Sequence, residues 1–268
     1  MAAVEVFPSP GELGAALARA VTEAAAEAVA SGGRFTLGLS GGSLVPLLAR
    51  ELPGALSAAP GADPSRWLVA FCDERLVPPE HPESTAGAYR CQVLAQFPPP
   101  GPRCLWVRPE LGAAAASDYE SQIRREFPGP GVPQFDLLLL GLGPDGHTCS
   151  LFPGHALLQE QEALVGFLED SPKPPARRVT MTLPLLNAAR SVLIVAAGAA
   201  KAPAIKRILE GREEFPLPAA RIRPRSGRLR WLLDQGAAQE LQIPAGKHPG
   251  NPGIPGKKNP GGDDPDGK

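Results

Sequence analysis

The sequence predicts an α/β protein with a Rossmann-like, mainly parallel sheet covered by helices on both faces. Three observations carry this expectation. Short runs rich in Val, Leu, Ile and Phe alternate with longer Ala- and Leu-rich segments at helical spacing, the order that builds strand–helix–strand units. The run "FDLLLL" (135–140) is too short to span a membrane and reads as a strand buried on both faces, as in a parallel sheet. Several such runs end in glycines or charged residues, where folds of this class place their ligands.

Taken in order, the first helix is expected over 11–31. Leu13, Leu17, Val21, Ala24, Ala28 and Val29 fall on one helical face there, and Gly32-Gly33 stop it. A strand follows at 34–40 ("RFTLGLS"). It leads into a helix at 43–51 with Pro46 in the opening turn, where a missing amide proton does little harm. A strand at 67–73 ("WLVAFCD") precedes a helix at 85–97, and a strand at 104–108 precedes one at 113–127. Further strands are expected at 135–141, 179–183, 191–197 ("SVLIVAA") and 229–233, with helices at 199–209 and 234–241. Pro and Gly cluster at 98–102, 128–133 and 172–175, marking surface loops inside one domain spanning 1–244. The last 24 residues, 245–268, hold 7 Gly and 5 Pro with a single branched apolar side chain. That is too little to offset the entropy of ordering, so disorder is expected there.

Bulk composition narrows the functional classes. With 43% hydrophobic residues, 268 positions suffice to fill a core. Lys plus Arg number 27 and Asp plus Glu 28, so no long-range field attracts nucleic acid or an acidic membrane, although a small anion could still find a local site. Cys72, Cys91, Cys104 and Cys149 show no paired CxxC spacing, which suits reduced thiols in the cytosol better than a secreted disulfide framework. The opening "MAAVEVFPSPGELG" lacks a basic and apolar leader, and no stretch approaches the roughly 20 apolar residues of a membrane helix.

Four strand ends carry candidate chemistry. Ser40, Gly41, Gly42 and Ser43 stand between a strand and a helix, presenting backbone N–H groups at a helix N-terminus that suits phosphate. An ordinary turn capped by Ser43 fits that loop equally well. Without a Walker lysine or a GxGxxG, nucleotide binding is disfavoured. Asp73, Glu74 and Arg75 follow apolar strand residues, and an Arg at that edge can grip phosphate oxygens in a bidentate manner, while a solvated charge cluster is the plainer reading. In "GLGPDGHTCSLFP" (141–153), Asp145 lies two residues before His147. An imidazole titrates near neutrality and serves as acid and base, and a nearby carboxylate fixes its tautomer; an Asp-Gly turn with an incidental His is the alternative. No second His is placed to activate Cys149, which reads as a packed thiol. Lys201 falls in the first turn of a helix, where a cation is out of place unless an anion binds nearby or the side chain snorkels to water.

Together, "LGLSGGS", "FCDERLVP", "ESTAGAYR", "FDLLLLGLGPDGHTCSLFP" and "GAAK" resemble the 6-phosphogluconolactonases, in particular the animal enzymes, over about residues 5–244. The resemblance implies a fold shared with glucosamine-6-phosphate deaminases and hydrolysis of 6-phospho-D-glucono-1,5-lactone in the cytosol. It implies neither metal nor organic cofactor. It further implies that His147 is the general acid/base with Asp145 beside it, that Ser40, Gly41, Gly42, Ser43, Arg75 and Lys201 cradle phosphate and sugar, and that Asp73 lines the pocket. Many members carry Ala at the position of Cys149, and the segment after Pro244 has no counterpart in the family. A glucosamine-6-phosphate deaminase/isomerase is the nearest alternative, but that family carries Asp-Glu-Tyr in place of Asp73-Glu74-Arg75 and Asn-Glu-Pro in place of the Ser150–Pro153 ending. A non-catalytic sugar-phosphate-binding module would need an output domain, and the sequence shows none.

Overall fold

In the computed structural model, which describes residues 3–225 and 227–242 and the backbone of 246–247, the strands fall into two sheets. The larger contains β1 (Ala3–Phe7), β2 (Phe35–Leu39), β3 (Trp67–Phe71), β5 (Arg103–Cys104), β6 (Leu137–Gly141), β9 (Ser191–Ala196), β10 (Arg228–Asp234) and β11 (Gly246–Lys247). Their spatial order is β11-β1-β10-β9-β6-β2-β3-β5, and every pairing is parallel except that of β11 with β1. The smaller, antiparallel sheet has the order β4-β8-β7, formed by Asp73–Arg75, Arg178–Met181 and Val165–Leu168 respectively. Helices α1 (Pro10–Gly32), α2 (Leu44–Ser57), α3 (Thr85–Gln92), α4 (Ala115–Glu126), α5 (Leu183–Leu186), α6 (Ala202–Glu210) and α7 (Gln235–Ala238) connect the strands.

The leucines of β6 show why the large sheet is covered twice. Leu137 and Leu139 belong to a core with Leu13, Leu17 and Val21 of α1 and Leu44 and Leu48 of α2. Leu138 and Leu140 point to the opposite core with Tyr119 and Ile123 of α4, Val179 and Met181 of β8, and Ile205 of α6. A fully buried leucine contributes roughly 1.5–3 kcal/mol, so a strand apolar on both faces is stable only between two layers. Ser9 caps the start of α1: its Oγ accepts from the Glu12 amide at 3.2 Å and donates to the Glu12 carboxylate at 3.2 Å. Gly33, at φ 76°, ends that helix.

Several expectations are revised. β1 was not foreseen; it is five residues long with Glu5 at its centre, too short to show a period. The run at 67–73 is broken at Cys72, whose N–H donates to Leu39 O of the large sheet at 2.8 Å and whose carbonyl accepts from Met181 N of the small one at 2.7 Å. Beyond that residue Asp73 pairs with Thr180, so the strand expected at 179–183 belongs to the small antiparallel sheet. The helix expected at 85–97 stops at Gln92 and continues as a 3₁₀ turn, Leu94–Gln96, and the strand expected at 104–108 shortens to Arg103–Cys104. In the segment expected to lack structure, Gly246–Lys247 pair with β1; its other residues lie outside the described ones.

Candidate active site

The sheet order reverses between β2 and β6, because β3 and β5 extend to one side of β2 while β9 and β10 extend beyond β6. Crevices in open α/β sheets form at such a switch point. Here the N–H of Ser40 donates to Leu139 O at 3.0 Å, laying the Ser40–Ser43 loop beside Gly141. Ser40 is buried, and its carbonyl accepts from the Tyr89 hydroxyl at 2.8 Å. The amides of Gly41, Gly42 and Ser43 have no acceptor among the described residues, and Ser43 opens α2 in helical conformation without capping it through its side chain. The loop therefore offers donors at the positive end of a helix.

After β6 the chain folds back sharply. The N–H of Gly143 donates to His147 O at 2.8 Å, and the Thr148 hydroxyl donates to Gly141 O at 2.8 Å. The imidazole of His147 lies directly over Gly143: a Cβ at that position would sit 1.9 Å from Nδ1, so only glycine fits. Below, the ring packs on Phe152 with centroids 4.8 Å apart. His147 Nδ1 is 2.5 Å from Asp145 Oδ1. An ionised carboxylate only accepts, so the proton belongs on Nδ1 and Nε2 keeps the basic lone pair. Burial holds the His147 pKa below the usual imidazole value; the Asp145 hydrogen bond and charge oppose it, and Lys173 reinforces it. Burial lifts the Asp145 carboxyl, but the hydrogen bond and charge of His147 and the charge of Lys173 outweigh it, leaving Asp145 below the ordinary carboxylate range. Near neutrality the pair is a carboxylate beside a neutral imidazole.

The small sheet contributes Asp73, Glu74 and Arg75. Asp73 is buried and accepts from the Ser150 hydroxyl at 2.9 Å. Its neighbour Glu74 turns away, accepting from the amides of Thr85 at 2.8 Å and Ala86 at 2.6 Å at the start of α3, and burial raises its pKa against those bonds. Arg75 reaches Glu83 at 2.9 Å, while its Nε is the single buried side-chain donor or acceptor without a partner among the described residues. Lys201 follows Gly198, whose φ of 91° suits glycine and whose amide donates to Asp234 at 2.9 Å. Burial lowers the Lys201 pKa, helped by the charge of Lys173 and opposed by that of Asp145, so this lysine shares the electrostatic neighbourhood of Asp145.

The structure thus brings Asp145 and His147 into contact; Lys201 feels the charge of Asp145, His147 that of Asp73, which is bonded to Ser150, and Ser40 Oγ lies 3.7 Å from Cys149 Sγ. Arg75 stands on the same edge but engages Glu83. Sequence reasoning missed Lys173, Arg178, Ser150 and Asp234. Lys173 lies in a Pro-rich stretch that reads from the sequence only as a surface loop, although a Lys among prolines carries a stiff backbone. Cys149 has φ 50° and a buried thiol. No group of three or more His, Cys, Asp or Glu side chains suited to a metal ion occurs among the described residues.

Comparison with known proteins gives consistent results. The sequence profile described as "Glucosamine-6-phosphate isomerases/6-phosphogluconolactonase" matches residues 8–231. The 6-phosphogluconolactonase of Homo sapiens is 55% identical over 247 residues, covering 91% of this chain and 96% of the relative. The probable 6-phosphogluconolactonase of Drosophila melanogaster is 42% identical, covering 90% and 96%. Among solved structures, 6-phosphogluconolactonase from Trypanosoma cruzi superposes with TM-score 0.76 at 27% identity, over 91% of this chain and 98% of that one. A monomeric glucosamine-6-phosphate deaminase has the same fold, with TM-score 0.68 at 19% identity over 89% of this chain and 100% of that one.

Proposed function

Because the chain belongs to the glucosamine-6-phosphate isomerase/6-phosphogluconolactonase family, we propose that the His147 pocket is where it hydrolyses 6-phospho-D-glucono-1,5-lactone to 6-phospho-D-gluconate, a step of the pentose phosphate pathway. The Nδ1–Oδ1 contact of 2.5 Å carries this assignment, since it leaves a neutral imidazole with its basic nitrogen unused. In the first step a water oxygen bonds to the lactone carbonyl carbon while its proton passes to Nε2. The tetrahedral intermediate then collapses with cleavage of the bond between that carbon and the ring oxygen, and the imidazolium returns the proton to the departing oxygen, which becomes a hydroxyl. The acid product ionises to solvent. Such proton transfer typically contributes 10²–10⁴ in rate, and Asp145 keeps the ring in the tautomer that needs no rearrangement between the two transfers.

The phosphate and sugar hydroxyls are held by the amides of the Ser40, Gly41, Gly42 and Ser43 loop, by Lys201 and by the guanidinium of Arg75. Asp73 lines the floor. A cytosolic setting fits four free cysteines, and no helix of the described residues is long and apolar enough to cross a membrane. The decisive comparison is the rate of lactone opening by the purified protein against its His147→Ala variant, which also corrects for spontaneous opening. Wild type is expected to exceed the variant by about 10² or more; equal rates would remove His147 from the mechanism.

A further inference from the structure

We propose that Lys173 is a positioning residue of this site: its ammonium, anchored by the buried Arg178, clamps the Asp145 carboxylate against His147 and faces the imidazole with a fixed positive charge. This rests on the reading of His147 as the base. Lys173 Nζ lies 3.3 Å from Asp145 Oδ1 and 3.2 Å from His147 Nδ1, so the ammonium and the ring share one carboxylate oxygen. With its proton directed to Asp145, Nδ1 has no lone pair to offer Lys173. The ammonium therefore bonds to the carboxylate and opposes a second proton on the ring. An exposed Lys–Asp pair with that single contact would have little effect; proximity to the ring nitrogen gives this one leverage.

A lysine side chain has four rotatable bonds, and holding it there requires a fixed base. Arg178 supplies it. Only 2% exposed, its guanidinium donates from Nη2 to Lys173 O at 2.8 Å and Pro174 O at 3.2 Å, and from Nε to Pro175 O at 2.9 Å. Its Nη1 reaches the Ser150 hydroxyl at 3.4 Å, the same hydroxyl that donates to Asp73. A buried charge satisfied mainly by three consecutive carbonyls of one turn is costly unless that turn keeps its shape, and Pro174 and Pro175 restrict it further. Ser171 closes the turn, donating from Oγ to Lys173 O at 2.8 Å.

The charged groups that act on His147 are Asp145 and Lys173 in direct contact and Asp73 beyond them; Lys201, from the turn before α6, feels Asp145 and Lys173, and Arg178 lies behind Phe152, 5.6 Å from the Phe152 centroid. Removing the ammonium leaves the two carboxylates with less opposition, which stabilises the imidazolium. The sign follows: without Lys173, protonation of His147 moves to higher pH and the base is lost sooner on acidification.

The test compares wild type, Lys173→Met and Lys173→Arg by the pH dependence of kcat/KM and by an NMR titration of the His147 ring, identified by its absence in His147→Ala. In Lys173→Met both midpoints are expected at higher pH, with kcat/KM falling several-fold more at about pH 6 than at about pH 8 and kcat falling more than KM rises. Lys173→Arg is expected to keep the wild-type midpoints. Midpoints in Lys173→Met that stay in place or move lower would overturn the proposal. If instead wild type proves no faster than His147→Ala, the base assignment fails, while the ring titration still reports whether Lys173 acts on His147.

Discussion

Replacing Asp145 by Asn keeps the shape of the side chain and removes its charge, which makes it an incisive probe of the imidazole's orientation. In the wild-type protein the 2.5 Å contact joins a carboxylate to a ring N–H. Hydrogen bonds to charged groups contribute about 1.5–3 kcal/mol, and the amide can present its NH₂ as readily as its oxygen, which would favour the wrong tautomer. If that energy is realised in the transition state, kcat/KM falls by roughly ten- to 150-fold, at about 1.36 kcal/mol per factor of ten. The pH dependence adds a sign. Asp145 draws the His147 pKa upward against burial, so its loss moves the acid limb of kcat/KM to lower pH, opposite to the shift expected for Lys173→Met. Initial rates of lactone opening, coupled to 6-phosphogluconate dehydrogenase and corrected with His147→Ala, read both quantities. A rate within about twofold of wild type, or an acid limb displaced upward, would refute the role given to the carboxylate.

Lys201→Ala and Arg75→Ala are expected to raise KM more than they lower kcat, the pattern of lost ground-state binding; an unchanged KM in both moves the phosphate to another part of the pocket. Gly143→Ala forces a methyl into the imidazole, 1.9 Å from Nδ1 before relaxation. Activity should therefore drop toward the His147→Ala level while the thermal unfolding midpoint shifts little, and full activity in this variant would show that the ring does not need its place over Gly143.

The parts of the fold that could be read in the sequence are those in which one strand satisfies two layers. The leucines of β6 and the runs of β2 and β9 have no polar face to confuse with an exposed strand, and their Gly-rich ends mark where the sheet stops. Ser9, Pro10 and Gly33 bracket the first helix by chemistry that acts within a few residues. What escaped notice depends on distant partners. Asp73–Arg75 and Val165–Leu168 are too short to show a period, and the first meets its partner β8 only about 100 residues further along the chain. Lys173 owes its position to Arg178, a residue whose own sequence context, between Pro-rich and apolar stretches, announces nothing. Asp145 and His147 were legible because their geometry is set by a turn of a few residues, whereas the contributions of Ser150 and Asp234 exist only after separate strand ends meet.

Cys72, immediately before Asp73, bonds through its N–H to the large sheet and through its carbonyl to the small one. Cys72 thus stitches the two sheets together at the root of Asp73, and the loop that carries Lys173 joins two strands of the small sheet, Val165–Leu168 and Arg178–Met181. Val165, Leu168, Val179 and Met181 of the small sheet share one core with Leu138 and Leu140 of the large one, so neither sheet can shift without disturbing that core. The seat of Lys173 beside Asp145 and His147 is therefore anchored by the same packing that joins the two sheets.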